Sequence, residues 1–251
     1  MKDLFKKYFL KFLFRLIVAL ITLFVYIEYP EQLDFHLNIF DDGLRYIHIL
    51  WLILFIESAS HLLPRKNILV GCGKQFSINY KGTEERVDEL EFYKNIREMN
   101  IQAMRVFIVW TLANLLIILI YVLGYIGNSE MLMLCMFYYV GDMVCVVFYC
   151  PFQSILMKNR CCSVCRIYSW DQIFLFTPFL FIRSFFSWSL ASIAIIIFMR
   201  WEYMFLVYPE RFQESTNVLL RCRNCQDRIC RIRKPVHPKK HNEHKYLKRF
   251  R

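Results

Sequence analysis

The amino-acid sequence predicts an all-α integral membrane protein with four clear transmembrane helices and a further apolar stretch that forms a broken or re-entrant hydrophobic hairpin. The first observation is composition, since 57% of the 251 residues are hydrophobic, 18% are aromatic and 21% are charged. The second is distribution, because the charges stand in blocks between apolar runs close to the roughly 20 residues that cross a bilayer. Intrinsic disorder is excluded as the main state, because too much apolar surface would stay in water.

The four predicted spans are continuous apolar runs, which favours helices over the alternating pattern of a transmembrane β-barrel. They cover residues 12–29, 44–63, 106–126 and 131–152. Basic residues precede the first run, as in a signal peptide. No small-residue cleavage site follows that run, so we interpret it as a retained span.

A cytoplasmic helix is expected over residues 83–104, between the second and third spans. Thr83 can cap its N-terminus, and Glu84 and Glu85 oppose the helix macrodipole in its first turn. Apolar residues then recur at helical spacing, and the helix can continue directly into the third span. We interpret it as a solvated or interfacial stalk, with a docking surface for a partner as the alternative.

The last apolar stretch, residues 173–207, is interrupted by Pro178, Arg183, Arg200 and Glu202. A single crossing would send the basic tail that follows to the outer side of the membrane. Two short passes, broken near Arg183, would return the tail to the inner side. Broken helices are tolerated in membranes where protein rather than lipid covers them.

The distribution of basic residues predicts the orientation. The N-terminus and residues 65–105 and 153–170 carry Lys and Arg, whereas residues 30–42 carry acidic residues and no basic ones. The positive-inside rule therefore places the basic segments in the cytoplasm. We expect residues 1–208 to form the polytopic membrane domain and residues 209–251 to form a basic, Cys-containing cytoplasmic tail, with both termini in the cytoplasm.

A repeated C-x-x-C is the most specific motif. Cys162 and Cys165 form one pair, and Cys222 and Cys225 form the other. A two-residue gap lets both sulfurs face one ion, and two pairs supply the tetrahedral sulfur set that suits zinc or an iron–sulfur cluster. Nearby arginines favour the thiolate, which is the form that binds metal. Three further cysteines lie close enough in sequence to serve as extra ligands, namely Cys150, Cys161 and Cys230.

The two pairs are separated by the predicted hairpin, so they can meet only if both lie on one side of the bilayer. An inside tail, argued above from charge, satisfies that condition. Two other interpretations of the cysteines stay open. They can be reduced thiols without a metal, or, with the tail outside, they can form disulfides as in a membrane thiol oxidoreductase.

Among the ionisable residues of the predicted apolar segments, three are candidates for a functional role: Glu57, Asp142 and Arg183. A charge inside a bilayer costs at least a few kcal/mol, so each is expected to have a partner or water. One candidate pair joins Glu57 or Asp142 to Arg183. The functional interpretation is a proton or ion path, and the alternative is a structural pair between helices.

The basic tail is expected to bind anionic lipid headgroups, as juxtamembrane polybasic segments do. It has no aromatic interleaving and no recognised nucleic-acid module, so we do not expect nucleic acid as a partner. The chain shows no Gly-rich phosphate loop, which argues against ATP-driven transport by this chain alone. It also shows no metalloprotease motif.

Together these features predict a non-enzymatic assembly, regulatory or electron-transfer module whose cytoplasmic face is organised by a Cys-ligated metal, with another membrane protein as its partner. Two alternatives remain. One is a membrane thiol–disulfide oxidoreductase that uses the C-x-x-C pairs. The other is a small secondary transporter that uses the intramembrane carboxylates.

Overall fold

The structure, a computed structural model, describes residues 2–35, 43–63, 71–85, 87–159, 164–221 and Asn224 of the chain. Within these residues the regular secondary structure is helical, and six α-helices are joined by short 3-10 or π-helical turns and irregular segments. In chain order the α-helices are α1 (Lys2–Glu28), α2 (Tyr46–Ser60), α3 (Glu89–Val122), α4 (Asn128–Val147), α5 (Asp171–Phe176) and α6 (Phe185–Val207).

Four helices in the described part of the chain are long and apolar enough to cross a membrane, namely the Lys6–Glu28 part of α1, and α3, α4 and α6. The run predicted at 44–63 forms only α2, whose 15 residues extend about 22 Å at 1.5 Å per residue. That length is less than a hydrocarbon core of about 30 Å. The fourth long helix is instead α6, which the sequence pattern assigns to one arm of the broken hairpin.

Local turns explain why α2 is short. Gly43 precedes it with a φ of 72°, a conformation that glycine adopts without steric cost. Arg45 is still extended, so the helix begins at Tyr46. It ends at Ser60, and the next backbone N–H, that of His61, donates to the carbonyl of Ser58 at 3.0 Å.

Contacts near both ends of the helices show their directions relative to one another. The rings of Phe12 and Phe148 meet at 5.4 Å, while the Tyr26 hydroxyl donates to Glu130 Oε1 at 2.9 Å near the other end, so α1 and α4 are antiparallel. Helices α2 and α6 are parallel, because Trp51 Nε1 donates to Ser189 Oγ at 2.8 Å near their starts and Arg200 donates to the Leu62 carbonyl near their ends. We call the end with the first turns of α1 and the last turns of α4 the basal end, and the opposite end the distal end.

Two clusters of buried side chains form the core. One fills the space between α1, α2, α4 and the hairpin, and includes Leu33, Leu50, Leu54, Leu132, Met136, Phe176, Phe179 and Ala194. The other lies at the basal end and joins α3 to the end of α6 through Ala103, Val106, Met157, Trp170, Trp201, Phe205 and Phe212. Close packing of these apolar side chains favours this arrangement of the helices through many van der Waals contacts.

The predicted break near Arg183 is observed. The two turns of α5 pass into a 3-10 turn at Thr177–Phe181, where Pro178 lacks the N–H that an α-helix would need. The chain is extended at Ile182, and α6 starts after Ser184, whose Oγ accepts the Phe186 N–H at 3.2 Å. The same Oγ donates to the carbonyl of Phe35 at 2.8 Å, which fixes the break at the distal end. Helix α6 then returns to the basal end.

The helix expected at 83–104 begins later than its predicted cap. Asp88 is the N-cap of α3, because its Oδ1 accepts the Leu90 N–H at 2.9 Å. Thr83 instead accepts a hydrogen bond from Arg221 at 2.9 Å. From Glu89 the helix continues without a break for 34 residues, so the stalk and the third predicted span are one helix.

The segments outside the helices assemble at the basal end. We call residues 71–85, 164–170 and 209–221 the basal layer. Buried Asn217 holds two of them together, since its Nδ2 donates to the Lys74 carbonyl at 3.1 Å and a single antiparallel β-bridge joins it to Gly82. The third segment, 164–170, contacts the helical turn at residues 71–74.

A buried ion pair fixes the 164–170 segment to α6. The Arg166 guanidinium donates to both carboxylate oxygens of Glu202, at 2.8 and 2.5 Å, and stacks on the Phe205 ring at 3.7 Å. Trp170 Nε1 donates to Glu202 at 2.7 Å, and Trp201 Nε1 donates to the Arg166 carbonyl at 2.9 Å. A bidentate pair of this kind adds orientation as well as energy.

Replacing Glu202 tests this attachment. Glu202→Ala should lower the free energy of unfolding by about 3–5 kcal/mol, because it leaves a buried arginine without its counter-charge. The measurement is reversible unfolding in mixed micelles. The matched control is Tyr203→Ala, whose side chain is exposed and should change stability by less than about 1 kcal/mol. Equal effects of the two substitutions would contradict this role of Glu202.

Candidate functional site: an arginine-centred ionic cluster

A buried arginine organises the polar centre of the bundle. Arg15 is a charged residue within the apolar part of α1, and its side chain is only 1% exposed. A guanidinium cannot lose its proton in a protein, so a buried one requires counter-charges and hydrogen-bond acceptors. Helices α2 and α4 supply both. We call Arg15, Lys11, Glu57, Tyr139 and Asp142 the ionic cluster.

Two carboxylates bind the Arg15 guanidinium. Glu57 Oε1 accepts from its Nε at 2.9 Å and from its Nη2 at 2.7 Å. Asp142 Oδ2 accepts from its Nη1 at 2.5 Å. The same Nη1 also donates to the backbone carbonyl of Tyr139 at 3.0 Å. Arg15 therefore links α1 to both α2 and α4.

Tyr139 and Lys11 complete the cluster around Glu57. The Tyr139 hydroxyl donates to Glu57 Oε2 at 2.5 Å, and the Arg15 guanidinium lies 4.5 Å from the centre of its ring. Lys11 Nζ lies 2.9 Å from Glu57 Oε1 and its side chain is 40% exposed. Lys11 thus reaches from the basal surface toward the largely buried carboxylate.

Helical spacing explains why these side chains converge. Lys11 and Arg15 are four residues apart, so they lie on one face of α1. Tyr139 and Asp142 are three residues apart and share a face of α4. Glu57 is three residues from the end of α2, which brings it to the basal half of the bundle, where α1 begins and α4 ends.

The cluster is electrically balanced. Lys11 and Arg15 carry two positive charges, and Glu57 and Asp142 carry two negative charges. A balanced set avoids a net charge inside the bundle, which an apolar environment would penalise strongly. The carboxylates keep some access to the surface, since the Glu57 side chain is 14% exposed and that of Asp142 is 24% exposed. The arrangement can therefore hold the three helices together while both carboxylates keep some access to the surface.

The structure brings Glu57 and Asp142 together but gives them a partner other than Arg183. Arg183 lies at the distal end, immediately before α6, and is exposed. The pairing of Arg183 with either carboxylate is therefore wrong, because the two carboxylates lie toward the other end of the bundle. Sequence reasoning missed Arg15, although its four-residue spacing from Lys11 was a usable signal. A helix that starts at Lys2 carries Arg15 past three turns and into the apolar run.

The cysteine motif is described only in part. Cys165 is buried in the basal layer. Cys150 lies just after α4, and its Sγ accepts the Gln153 N–H at 3.4 Å. The other predicted ligands lie outside the described residues, namely Cys161, Cys162, Cys222, Cys225 and Cys230. Within the described part of the chain, no three His, Cys, Asp or Glu side chains are grouped as a metal site.

Comparison with protein-family models, with curated proteins and with solved structures gives no match for this chain. Its fold and site therefore define it by class alone, as an all-helical protein with four described helices suited to a membrane and with a buried ionic cluster near the basal end.

Replacing Arg15 tests the role of the cluster. Arg15→Met keeps much of the side-chain volume but leaves Asp142 without its cation and Glu57 with Lys11 alone. We expect it to lower the free energy of unfolding by about 3–5 kcal/mol. Removing all three charges, in Arg15→Met/Glu57→Gln/Asp142→Asn, should recover most of that loss, because neutral groups carry a smaller desolvation penalty.

The matched control is Arg183→Met, which removes an exposed arginine at the distal end and should change stability by no more than about 0.5 kcal/mol. Unfolding in mixed micelles measures all of these variants. A triple variant no more stable than Arg15→Met would contradict the charge argument, since the uncompensated carboxylate charge would then not explain the loss.

Proposed function

We propose that this chain is a multi-pass membrane protein with both termini in the cytoplasm, and that it acts as a non-enzymatic assembly, regulatory or electron-transfer module. The basal end is then the cytoplasmic end. Its face is organised by a zinc ion or an iron–sulfur cluster that four cysteines hold, namely Cys162, Cys165, Cys222 and Cys225.

The observation that carries this proposal is the basal layer. Cys165 belongs to the 164–170 segment, which Arg166 fixes to the end of α6. Arg221, which immediately precedes Cys222, donates to Thr83 at 2.9 Å and to the carbonyl of Ser215 at 3.1 Å. The approaches to both C-x-x-C pairs therefore lie at one end of the bundle, which is the condition that a shared ion requires.

The return of α6 to the basal end supports the same conclusion. Its 23 residues extend about 34 Å at 1.5 Å per residue, so a tail attached to its other end would lie a full membrane thickness away. Because α6 ends beside the 164–170 segment, the tail starts next to the loop it would bind. A metal there would fasten the tail to that loop.

The identity of the ion separates the roles within this proposal. Zinc has no redox chemistry, so a zinc site would be structural and would suit an assembly or regulatory module. An iron–sulfur cluster would suit electron transfer. The basic tail would add attraction to anionic lipid headgroups at the same face, and another membrane protein would be the partner that the module organises.

Metal content tests the proposal directly. Protein purified without oxygen should contain about one zinc per chain without colour, or iron and sulfide with a visible charge-transfer band. Each single Cys→Ser substitution at the four predicted ligands should remove most of the metal, because every ligand of a four-cysteine site is needed. These ligands are Cys162, Cys165, Cys222 and Cys225. Elemental analysis and visible absorption are the measurements.

The matched control is Cys145→Ser, which changes a half-buried cysteine inside α4 and should leave the metal content unchanged. Full metal content in all four ligand variants would refute the site. Absence of metal together with thiols that titrate as disulfide pairs would favour the thiol–disulfide oxidoreductase, which needs an oxidising compartment at the tail.

A second candidate function, a small secondary transporter, is favoured by the ionic cluster. Glu57 and Asp142 meet around Arg15, and both carboxylates are partly exposed. Ionisable groups within a helical membrane bundle often mark a proton or ion path. On this proposal Asp142 is the group that exchanges the transported proton or cation, because it is the more exposed of the two carboxylates.

Flux across vesicles tests this candidate. Asp142→Asn should abolish proton or cation flux in proteoliposomes, because the amide cannot exchange a proton at neutral pH. A pH-sensitive dye inside the vesicles measures proton flux, and helical content measures folding. Glu98→Gln, which changes an exposed carboxylate of α3, should transport like the unmodified chain. Normal flux in a folded Asp142→Asn variant would remove Asp142 from the mechanism.

A further inference from the structure

An apolar cavity of about 230 Å³ lies between α3, the broken hairpin and α6. The α3 wall carries Phe107, Trp110, Asn114 and Ile118, whose three- and four-residue spacing places them on one helix face. The opposite wall comes from α5, from the 3-10 turn that follows it and from Phe198 of α6. Because α3 and α6 are both suited to cross a membrane, the cavity lies within the apolar thickness of the bundle.

Aromatic rings that pack on one another form much of the wall. Trp110 stacks on Phe174 with the ring centroids 4.5 Å apart. The Trp170 ring meets Phe198 edge-on at 5.4 Å and Phe107 at 6.4 Å. Each ring is packed against another, so filling the space from within would require several rings to move together.

Three polar side chains of the wall are already bonded to other protein groups. Trp110 Nε1 donates to Thr177 Oγ1 at 3.2 Å, and that hydroxyl donates to the Ile173 carbonyl at 2.6 Å. Asn114 Nδ2 donates to the Trp110 carbonyl at 2.9 Å, and its Oδ1 accepts from the Tyr138 hydroxyl at 3.4 Å. Apolar cavities of about 150 Å³ stay dry and bind small hydrocarbons. The chemistry of this wall therefore favours a hydrocarbon ligand over a polar one.

The dimensions of the cavity suit a single lipid chain. Phe107 and Ile118 are eleven residues apart, which is about 16 Å along a helix. The hydrocarbon core of a bilayer is about 30 Å thick, so the fatty chains of one leaflet extend about 15 Å. The volume is below the roughly 300–1,000 Å³ of sites that enclose a drug-sized ligand, which favours one narrow chain over a fused-ring molecule.

We propose that this cavity binds one fatty acyl chain of a membrane phospholipid, which fills the space between α3 and the broken hairpin. Helix α3 packs on the rest of the bundle through Ala103 and Val106 toward its basal end and through Tyr121 at its distal end. The bound chain supplies van der Waals contacts between these two regions. This inference rests on the membrane placement in the proposed function, and it does not depend on the metal or on transport.

Photolabelling of the unmodified full chain tests the proposal. The probe is a phosphatidylcholine with a diazirine in one acyl chain, incorporated with the protein into lipid nanodiscs. Illumination follows either directly or after a brief exchange against excess unlabelled phosphatidylcholine in mixed micelles, and peptide mass spectrometry locates the label. The cavity is represented by Ile118 and Phe198. The comparison is with exposed leucines of α3 that do not line the cavity, namely Leu112, Leu116 and Leu119.

Direct illumination should label both sets of residues. After the exchange, label should persist at the cavity residues and fall at the exposed leucines, because a chain enclosed between helices leaves more slowly than lipid on an open surface. Equal loss from both sets, or label at the leucines alone, would overturn the site and leave the membrane placement intact. Absence of label from both sets would overturn the membrane placement as well.

A matched pair of neighbouring substitutions gives a second test. Thr111 lines the cavity and is half-buried, so Thr111→Trp should fill it and remove most of the label that persists at Phe198. Leu112→Trp adds the same ring to the exposed side of α3 and should leave that label unchanged. Helical content and a monodisperse elution profile establish that the variants fold. Persistent label at Phe198 in folded Thr111→Trp would contradict the proposal.

A photoreactive sterol is the competing probe. It should exchange at the cavity residues as fast as at the exposed leucines, because the cavity is sized for a single chain. If the sterol persists at Ile118 and Phe198 while the phospholipid probe exchanges, the occupant is a fused ring and the acyl-chain proposal is wrong.

Discussion

The burial of Arg15 is the constraint on which the arrangement of the bundle depends. A guanidinium that is 1% exposed is permanently charged, so the fold must bring counter-charges to it wherever it lies. Glu57 comes from α2 and Asp142 from α4, and both have to be close at the same time. This requirement fixes the depth of α2 and α4 relative to α1, which apolar contacts alone would leave free to slide.

The same rule operates at the basal layer with another buried arginine. Arg166 is 3% exposed and pairs with Glu202, one of the residues that interrupt the last apolar stretch. The charge of Glu202 within the apolar stretch therefore has a structural role, since this carboxylate near the end of α6 binds Arg166 of the preceding loop. Arg15 fixes the helices to one another, and Arg166 fixes the loop and the hairpin to the place where the tail begins. The two pairs share the logic of buried charges that are costly to separate.

Much of the fold could be predicted from the sequence because hydrophobic runs report directly on helices in lipid. The break near Arg183 was also predictable, since Pro178 and the charges interrupt the run. The boundaries of α2 were not, because its ends depend on local turns, one at Gly43 before the helix and one directly after Ser60. Only part of the ionic cluster could be predicted from the sequence. Glu57 and Asp142 stand out as charges within apolar runs, whereas Arg15 resembles part of the basic N-terminal flank until the helix is known to start at Lys2.

The geometry of the ionic cluster separates the two carboxylates by what each can do. Glu57 accepts hydrogen bonds from Arg15, Lys11 and Tyr139, so neutralising it would weaken contacts to three side chains at once. Asp142 accepts from one nitrogen of Arg15, and that nitrogen also has a backbone carbonyl as acceptor. If the Asp142 carboxylate is removed by substitution, Arg15 keeps Glu57 and the Tyr139 carbonyl as acceptors. Glu57 is therefore the anchor of the cluster, because its loss would take away three contacts at once, whereas the loss of Asp142 takes away one. The two carboxylates balance the same guanidinium, but they do not contribute equally to holding the helices together.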